Sequence, residues 1–395
     1  MKRIAFFVQW MLCGGVENAL ISLAKKLQSE GHDVYIYAIK NEGEFVKKIP
    51  YGVKFSEIPM PRSTRSSIPV GGTKVSVRNA IREKQYAKAV RFLIRHQFSK
   101  CEFAELNVNK EAIPTLQEKF DIAVNFHIHS PFLVWYVSQK VDATKKFAWI
   151  HNDFTTTQYN IKILQKYLVD VDRFFAVAQN LVSEFSTIFP EYKDKIEIAL
   201  NIVPKEEILI KSEKFYPEEF DICGKDTVKI LTVGRLEEQK GYDIAVKVCK
   251  YLKERDLKFQ WFILGNGTQK ATIQSEIKKL NLEDYMHLLG TKMNPYPYFR
   301  HCDIYVQTSK HEGYVTTVTE AKILKRPIVT TDVSGAREQL IDKVNGEITT
   351  FDPTDIAHRI ETLILNEDVR NRYSDKLEKL DGYLIGDWID NFNKR

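Results

Sequence analysis

The stretch His311-Glu312-Gly313-Tyr314-Val315-Thr316-Thr317-Val318-Thr319-Glu320 sets two carboxylates eight positions apart. It follows the short apolar run Ile304-Tyr305-Val306 and precedes a helix-like segment that ends before Arg326-Pro327. The run reads as a strand, the chain turns at Gly313, and a helix starts near Thr316 or Thr317, either of which can cap it. Were all ten residues helical, the two carboxylates would stand about 12 Å apart along the axis, too far to grip one small group together. With Glu312 in the loop and Glu320 about one turn into the helix, both face one crevice beyond the strand ends. Carboxylates only accept hydrogen bonds, so they suit a hydroxyl-rich ligand and suit a phosphate badly.

Cations stand about eighty residues upstream. There the apolar run Val228-Lys229-Ile230-Leu231-Thr232-Val233 ends in Gly234-Arg235-Leu236-Glu237-Glu238-Gln239-Lys240-Gly241. Arg235 and Lys240 lie just past a strand end, with a glycine on each side that lets backbone approach a ligand. Acidic and basic grips in one domain imply a ligand that is half sugar and half diphosphate, a nucleotide-sugar.

The motifs Gly234-Arg235, Lys240-Gly241 and Glu312-x7-Glu320 resemble those of the retaining GT-B glycosyltransferases, the group that includes sucrose-phosphate synthases and bacterial polysaccharide glycosyltransferases. The resemblance runs on, in the family's order, through Leu264-Gly265-Asn266-Gly267, Leu289-Gly290, Gly335-Ala336-Arg337-Glu338 and Asn345-Gly346. It covers nearly all of residues 228–365 and adds the loop Gly14-Gly15. It implies an α/β GT-B chain with two Rossmann-like parallel-sheet domains facing a deep cleft. Residues 1–203 would be the acceptor-side domain, 204–372 the nucleotide-sugar domain and 373–395 a tail crossing back to the first.

The same resemblance assigns roles. Arg235 and Lys240 neutralise the leaving diphosphate, and Glu312 with the amides of Gly313 and Tyr314 holds the transferred sugar. Glu320 accepts from the ribose hydroxyls, and His151 meets the sugar near the acceptor. Gly14, Gly15, Gly234, Gly290, Thr291 and Val315 complete the donor pocket, with the base read near Leu289–Met293. At position 315 the family commonly has a small residue or proline, so Val315 is a departure. The implied activity is metal-independent, cofactor-free retaining transfer of a hexose from a UDP-type sugar to a hydroxyl of a glycan or lipid-linked saccharide, in bacterial surface polysaccharide synthesis. A soluble-acceptor enzyme and a non-catalytic nucleotide-sugar or glycan-binding subunit are the alternatives.

At 395 residues the chain exceeds what one core usually fills, so two domains are expected. Five cysteines, Cys13, Cys101, Cys223, Cys249 and Cys302, are far apart and form no C-x-x-C, which argues for a reducing cytoplasm over a disulfide framework or structural zinc. The run Ile4–Val8 breaks at Gln9 without a cleavage site, so it reads as a strand rather than a signal peptide. No run approaches the roughly 20 apolar residues of a membrane span.

The opening reads β-α-β: a strand at Ile4–Val8, a loop at Met11–Gly15, a helix at Val16–Gln28 and a strand at Asp33–Ile39. Gly14-Gly15 precedes the unpaired amides of that helix, a place to receive a diphosphate or a place that needs glycine for its turn alone. Residues 62–100 carry ten cations against the single acid Glu83, a net +9, with Lys84, Lys88, Arg91 and Arg95 on one side of a projected helix. Such a helix can lie on an anionic membrane surface or present a solvated basic face. No motif for nucleic acid accompanies the charge.

Strands at Phe120–Asn125 and Lys146–Ile150 end near His127, His129 and His151. His127-Ile128-His129 has metal-pair spacing without a matched carboxylate, and no metal site is expected. Asp170-Val171-Asp172 precedes an apolar run and reads as the turn between a helix and a strand.

Overall fold

The computed structural model describes residues 1–12, 14–62, 110–154 and 161–378, with positions 65, 81, 86, 87 and 90 besides. Most of the basic stretch 62–100, and the part of the 373–395 tail beyond residue 378, lie outside the described residues. The chain divides into two compact units. One comprises Met1–Cys13, Leu23–Ala176 and Val182–Glu197; the other comprises Gly14–Ser22, Val177–Leu181 and Ile198–Arg395.

The first sheet is built from β1 (Arg3–Val8), β2 (Asp33–Ala38), β3 (Lys54–Glu57), β4 (Lys119–Asn125), β5 (Asp142–Ile150), β6 (Arg173–Ala176) and β7 (Ile196–Ile198). Their order is β3-β2-β1-β4-β5-β6-β7, and β1 pairs in parallel with both β2 and β4. Ile4, Ala5, Phe6, Phe7 and Val8 are all fully buried, as a strand covered on both faces requires.

The second sheet holds β8 (Val228–Val233), β9 (Phe259–Leu264), β10 (Met286–Gly290), β11 (Ile304–Gln307), β12 (Ile328–Thr331) and β13 (Glu347–Thr349), in the order β10-β9-β8-β11-β12-β13. Side chains of successive strand residues point to opposite faces. Ile230, Trp261 and Ile304 therefore enter one buried cluster, while their neighbours Leu231, Phe262 and Tyr305 enter another on the other face. Two cores on one sheet explain why β8 and β9 are apolar runs rather than alternating ones.

Each sheet reverses its winding at its centre, between β1 and β4 in the first and between β8 and β11 in the second. In open parallel sheets ligands bind outside the carboxyl ends of the strands at that reversal. The stretch 234–241 leaves β8 there, and the stretch 308–315 leaves β11 there.

The helix of the opening motif spans Thr316–Ile323, as read, but its cap differs from expectation. Val315 is the cap residue (φ −84, ψ 98) and no side chain caps it. Thr317 cannot serve, because its hydroxyl lies 2.7 Å from the Tyr305 phenol and is used there. Strand β5 starts at Asp142, four residues before the apolar run at Lys146. Those first residues are polar or half-buried, so strand pairing with β4 rather than hydrophobicity sets the start. Asp170-Val171-Asp172 links a short 3-10 turn, Leu168–Asp170, to β6, as its apolar context implied. The Asp172 carboxylate accepts from the Lys146 amide at 2.8 Å and Asp170 accepts from Ser138.

Candidate active site

Lys240 and Glu312, seventy-two residues apart in sequence, meet as an ion pair at the carboxyl ends of β8 and β11. The strand pairing forces this proximity, since Leu231 of β8 stands opposite Tyr305 of β11. The loops that follow are stitched together. The Lys310 amide donates to Gln239 O at 2.8 Å, Gln239 Nε2 to His311 O at 3.0 Å, and Thr308 Oγ1 to Gly241 O at 3.1 Å. Gly241 has φ +64, and a Cβ there would lie 2.0 Å from Thr308 O, so only glycine allows so close a crossing.

Behind Glu312 runs a buried polar chain with no signal in the motif. Ser309 Oγ donates to Glu312 Oε1 at 2.8 Å, and Gln307 Nε2 donates to Ser309 Oγ at 2.5 Å. Tyr305 Oη lies 2.6 Å from Gln307 Oε1 and 2.7 Å from Thr317 Oγ1. A phenol has one proton, so it donates to Gln307 and accepts from Thr317. Alternation along a strand was the available clue: Tyr305, Gln307 and Ser309 share one side of β11 and its continuation.

Glu320, 6% exposed, stands just past the first turn of the Thr316–Ile323 helix. The Tyr296 hydroxyl donates to its Oε1 at 3.3 Å. Burial, and then the charge of Glu320, drives the Tyr296 phenol well above its ordinary range, so it stays a neutral donor. Arg235 is exposed at the end of β8; its backbone carbonyl accepts from the Glu237 amide at 2.8 Å, and its guanidinium makes no hydrogen bond or ion pair to another described residue. Gly234 sits beside it, against the Lys240 stem and the Tyr242 hydroxyl, which donates to Gly234 O at 2.9 Å. Gly290 (φ +73) and the exposed Thr291 end β10. They stand two strands from β8, roughly 10 Å along the sheet.

Gly14 and Gly15 group with the second unit. A Cβ on Gly15 would come within 2.8 Å of Thr316 Oγ1, and one on Gly14 within 4.0 Å of Arg235 Nε. The second unit therefore brings Gly14, Gly15, Gly234, Arg235, Lys240, Glu312, Gly313, Tyr314, Val315 and Glu320 to one end of its sheet.

His151 belongs to the first unit, just past the end of β5. It is 6% exposed, and among the described residues neither ring nitrogen has a hydrogen-bond partner. Burial, reinforced by repulsion from His129, pushes its pKa down to about 3, so the imidazole is neutral. His127 is used structurally, its Nδ1 accepting from the Gln9 amide at 3.0 Å. Among the described residues, no three His, Cys, Asp or Glu side chains are grouped to hold a metal ion.

Residues 217–380 match the family described as "Glycosyl transferases group 1". A 4-alpha-N-acetylgalactosaminyltransferase of Campylobacter jejuni, named for N-acetylgalactosamine-N,N'-diacetylbacillosaminyl-diphospho-undecaprenol, is 34% identical over 200 residues, 50% of this chain and 51% of that one. An uncharacterized glycosyltransferase of Methanocaldococcus jannaschii is 27% identical over 242 residues, 61% of this chain and 57% of that protein. The chain thus spans about half the length of the curated relatives it matches. The solved structure of Anabaena HepE in complex with UDP-glucose superposes with a TM-score of 0.69 at 15% identity, covering 96% of this chain and 94% of that one. The chain has the GT-B fold, and its residues 217–380 are similar to the glycosyl transferases group 1 family.

Proposed function

We propose that this chain is a retaining glycosyltransferase that moves a hexose from a UDP-sugar to a hydroxyl of a glycan or lipid-linked saccharide, in synthesis of a bacterial surface polysaccharide. The observation that carries the reading is the meeting of a cationic and an acidic pair at the winding reversal of the second sheet, with Lys240 on Glu312 and Arg235 on the same edge. The UDP-glucose complex of HepE and the lipid-linked saccharide in the name of the Campylobacter relative support the choice of donor and acceptor.

In this reading Arg235 binds the diphosphate through two parallel hydrogen bonds and Lys240 acts as a point charge. The bond between the anomeric carbon and the diphosphate oxygen breaks while the acceptor oxygen bonds to the same face of that carbon. The acceptor's proton passes to the departing phosphate oxygen. Charge grows on the diphosphate as the bond opens, so the two cations stabilise the transition state more than the ground state. Glu312 and the amides of Gly313 and Tyr314 hold the sugar, Glu320 accepts from the ribose and the Gly290-Thr291 turn borders the base. Gly14 and Gly15 lend amides to the phosphates. His151 contributes a neutral donor or acceptor near the acceptor hydroxyl. No metal ion or cofactor has a part. Transfer takes place on the cytoplasmic face, with the basic segment 62–100 against anionic lipid, and nucleic acid is not a partner. Among the described residues no helix is long and apolar enough to cross a membrane.

The test is transfer from a panel of UDP-sugars to lipid-linked saccharides, with the product's anomeric configuration read by NMR. Retention of the donor configuration is expected, and Arg235→Ala should lower turnover by about a hundredfold. Inversion, or normal turnover by the variant, would refute the reading.

A further inference from the structure

Gln339 is 2% exposed, and both ends of its side-chain amide are used at one place. Its Oε1 accepts from the Val315 amide at 3.2 Å, and its Nε2 donates to Val315 O at 2.9 Å and to Thr319 Oγ1 at 2.9 Å. The orientation of the amide group is forced, because the Val315 N–H needs an acceptor and a reversed amide would face it with hydrogens. The Gln339 carbonyl in turn accepts from Lys322 Nζ at 2.7 Å, tying the same residue to the helix that carries Glu320. Beside it, Gly335 (φ +76) comes so close to the turn that a Cβ there would lie 2.5 Å from Gly313 O.

Two contacts therefore hold the Glu312–Val315 turn from behind: the Gly335 backbone against Gly313 and the Gln339 side chain around the Val315 peptide. Only Gly313 and Tyr314 lie within this grip. Satisfying the Val315 carbonyl does not require Gln339, since that oxygen already accepts from the Val318 amide at 3.1 Å. A single hydrogen bond would fix a distance; bonds to both the N–H and C=O of one residue fix its rotation as well. We infer that Gln339 is a positioning residue for the sugar-holding turn, its side-chain amide bracketing Val315 so that the Gly313 and Tyr314 amides are aimed. A proline at position 315 would have no N–H for Gln339 to hold. This inference rests on the reading that the turn holds the transferred sugar.

Gln339→Met keeps the volume and removes all three side-chain hydrogen bonds while leaving the backbone bond from Lys322 in place. Amide hydrogen exchange at Val315 should quicken by about tenfold or more. Transfer kcat should fall on the order of a hundredfold, as expected for a misaimed group, while the Kd for UDP stays within about twofold because Arg235, Lys240 and Glu320 are untouched. Val315→Pro should lose a similar factor in kcat, and the double variant should be no worse than either alone. Unchanged kcat, or a Kd for UDP that rises in step with the fall in kcat, would overturn the positioning role. If wild type neither binds UDP nor turns over any UDP-sugar, the active-site reading fails and the positioning role with it. Exchange at Val315 reports on the bracket even then, and an unaltered rate in Gln339→Met would overturn it.

Discussion

Lys240→Ala offers a perturbation whose sign can be worked from the structure before any donor is known. Lys240 and Glu312 form their pair with side chains only 17% and 10% exposed, and among the described residues Ser309 is the other donor to the Glu312 carboxylate. Removing the cation leaves a buried carboxylate with one neutral hydrogen bond. Breaking such a pair from one side costs about 3 kcal/mol, and Glu312→Ala should cost a similar amount by stranding the ammonium. Removing both leaves no unpaired charge, so the double variant should be more stable than the sum of the singles, with a coupling of about 2 kcal/mol. The assay is chemical denaturation followed by circular dichroism, with midpoints compared at constant slope. Singles whose effects simply add would mean that the pair does not form, and the geometry assigned to the two loops would be wrong.

Other outcomes follow from the same structure. Because the folded pKa of His151 is lowered to about 3, the unfolded chain binds more protons between that value and about 6.5. Stability assignable to His151 is therefore full above about pH 6.5 and lost as pH falls. Relative to His151→Phe, wild type should lose on the order of 1 kcal/mol per pH unit below pH 6, read from denaturation midpoints; parallel profiles would show that the ring is not buried and neutral. Tyr296→Phe removes the donor to Glu320 and should weaken UDP binding by about fivefold at unchanged fold, read by calorimetry; no change would detach Tyr296 from the nucleoside pocket. Flotation with anionic liposomes should show binding that salt weakens and that reversing Lys84, Lys88, Arg91 and Arg95 to glutamate abolishes; no flotation at low salt would leave that face to solvent.

Much of the second sheet was legible in the sequence because its signals are local. Val228–Val233 is a mostly apolar run, broken by Lys229 and Thr232, and became β8 with the same limits. Gly234, Gly241 and Gly313 punctuate the turns, and Thr316 opens the helix. The cation and acid motifs sit at strand ends, so parallel topology alone places them on one edge. What stayed hidden was long-range. That Lys240 would pair with Glu312 depends on β8 lying beside β11, which winding order sets. The Tyr305-Gln307-Ser309 chain looked like an ordinary strand end, since polar residues in a buried strand acquire meaning only from partners. The cap was misread because Thr317 is a good cap former whose hydroxyl is already used by Tyr305, a contact twelve residues away. Gln339 follows a matched motif, and nothing in its neighbours shows that it reaches back to Val315.

The central claim is that both pairs grip one nucleotide-sugar. Titration calorimetry of wild type against UDP-, GDP- and ADP-sugars tests it most directly, alongside Arg235→Ala and Glu320→Gln. The account predicts binding of a UDP-sugar that each substitution weakens by about tenfold or more, one through the diphosphate and the other through the ribose. Binding unaffected by both substitutions, or no binding of any sugar nucleotide by wild type, would contradict it.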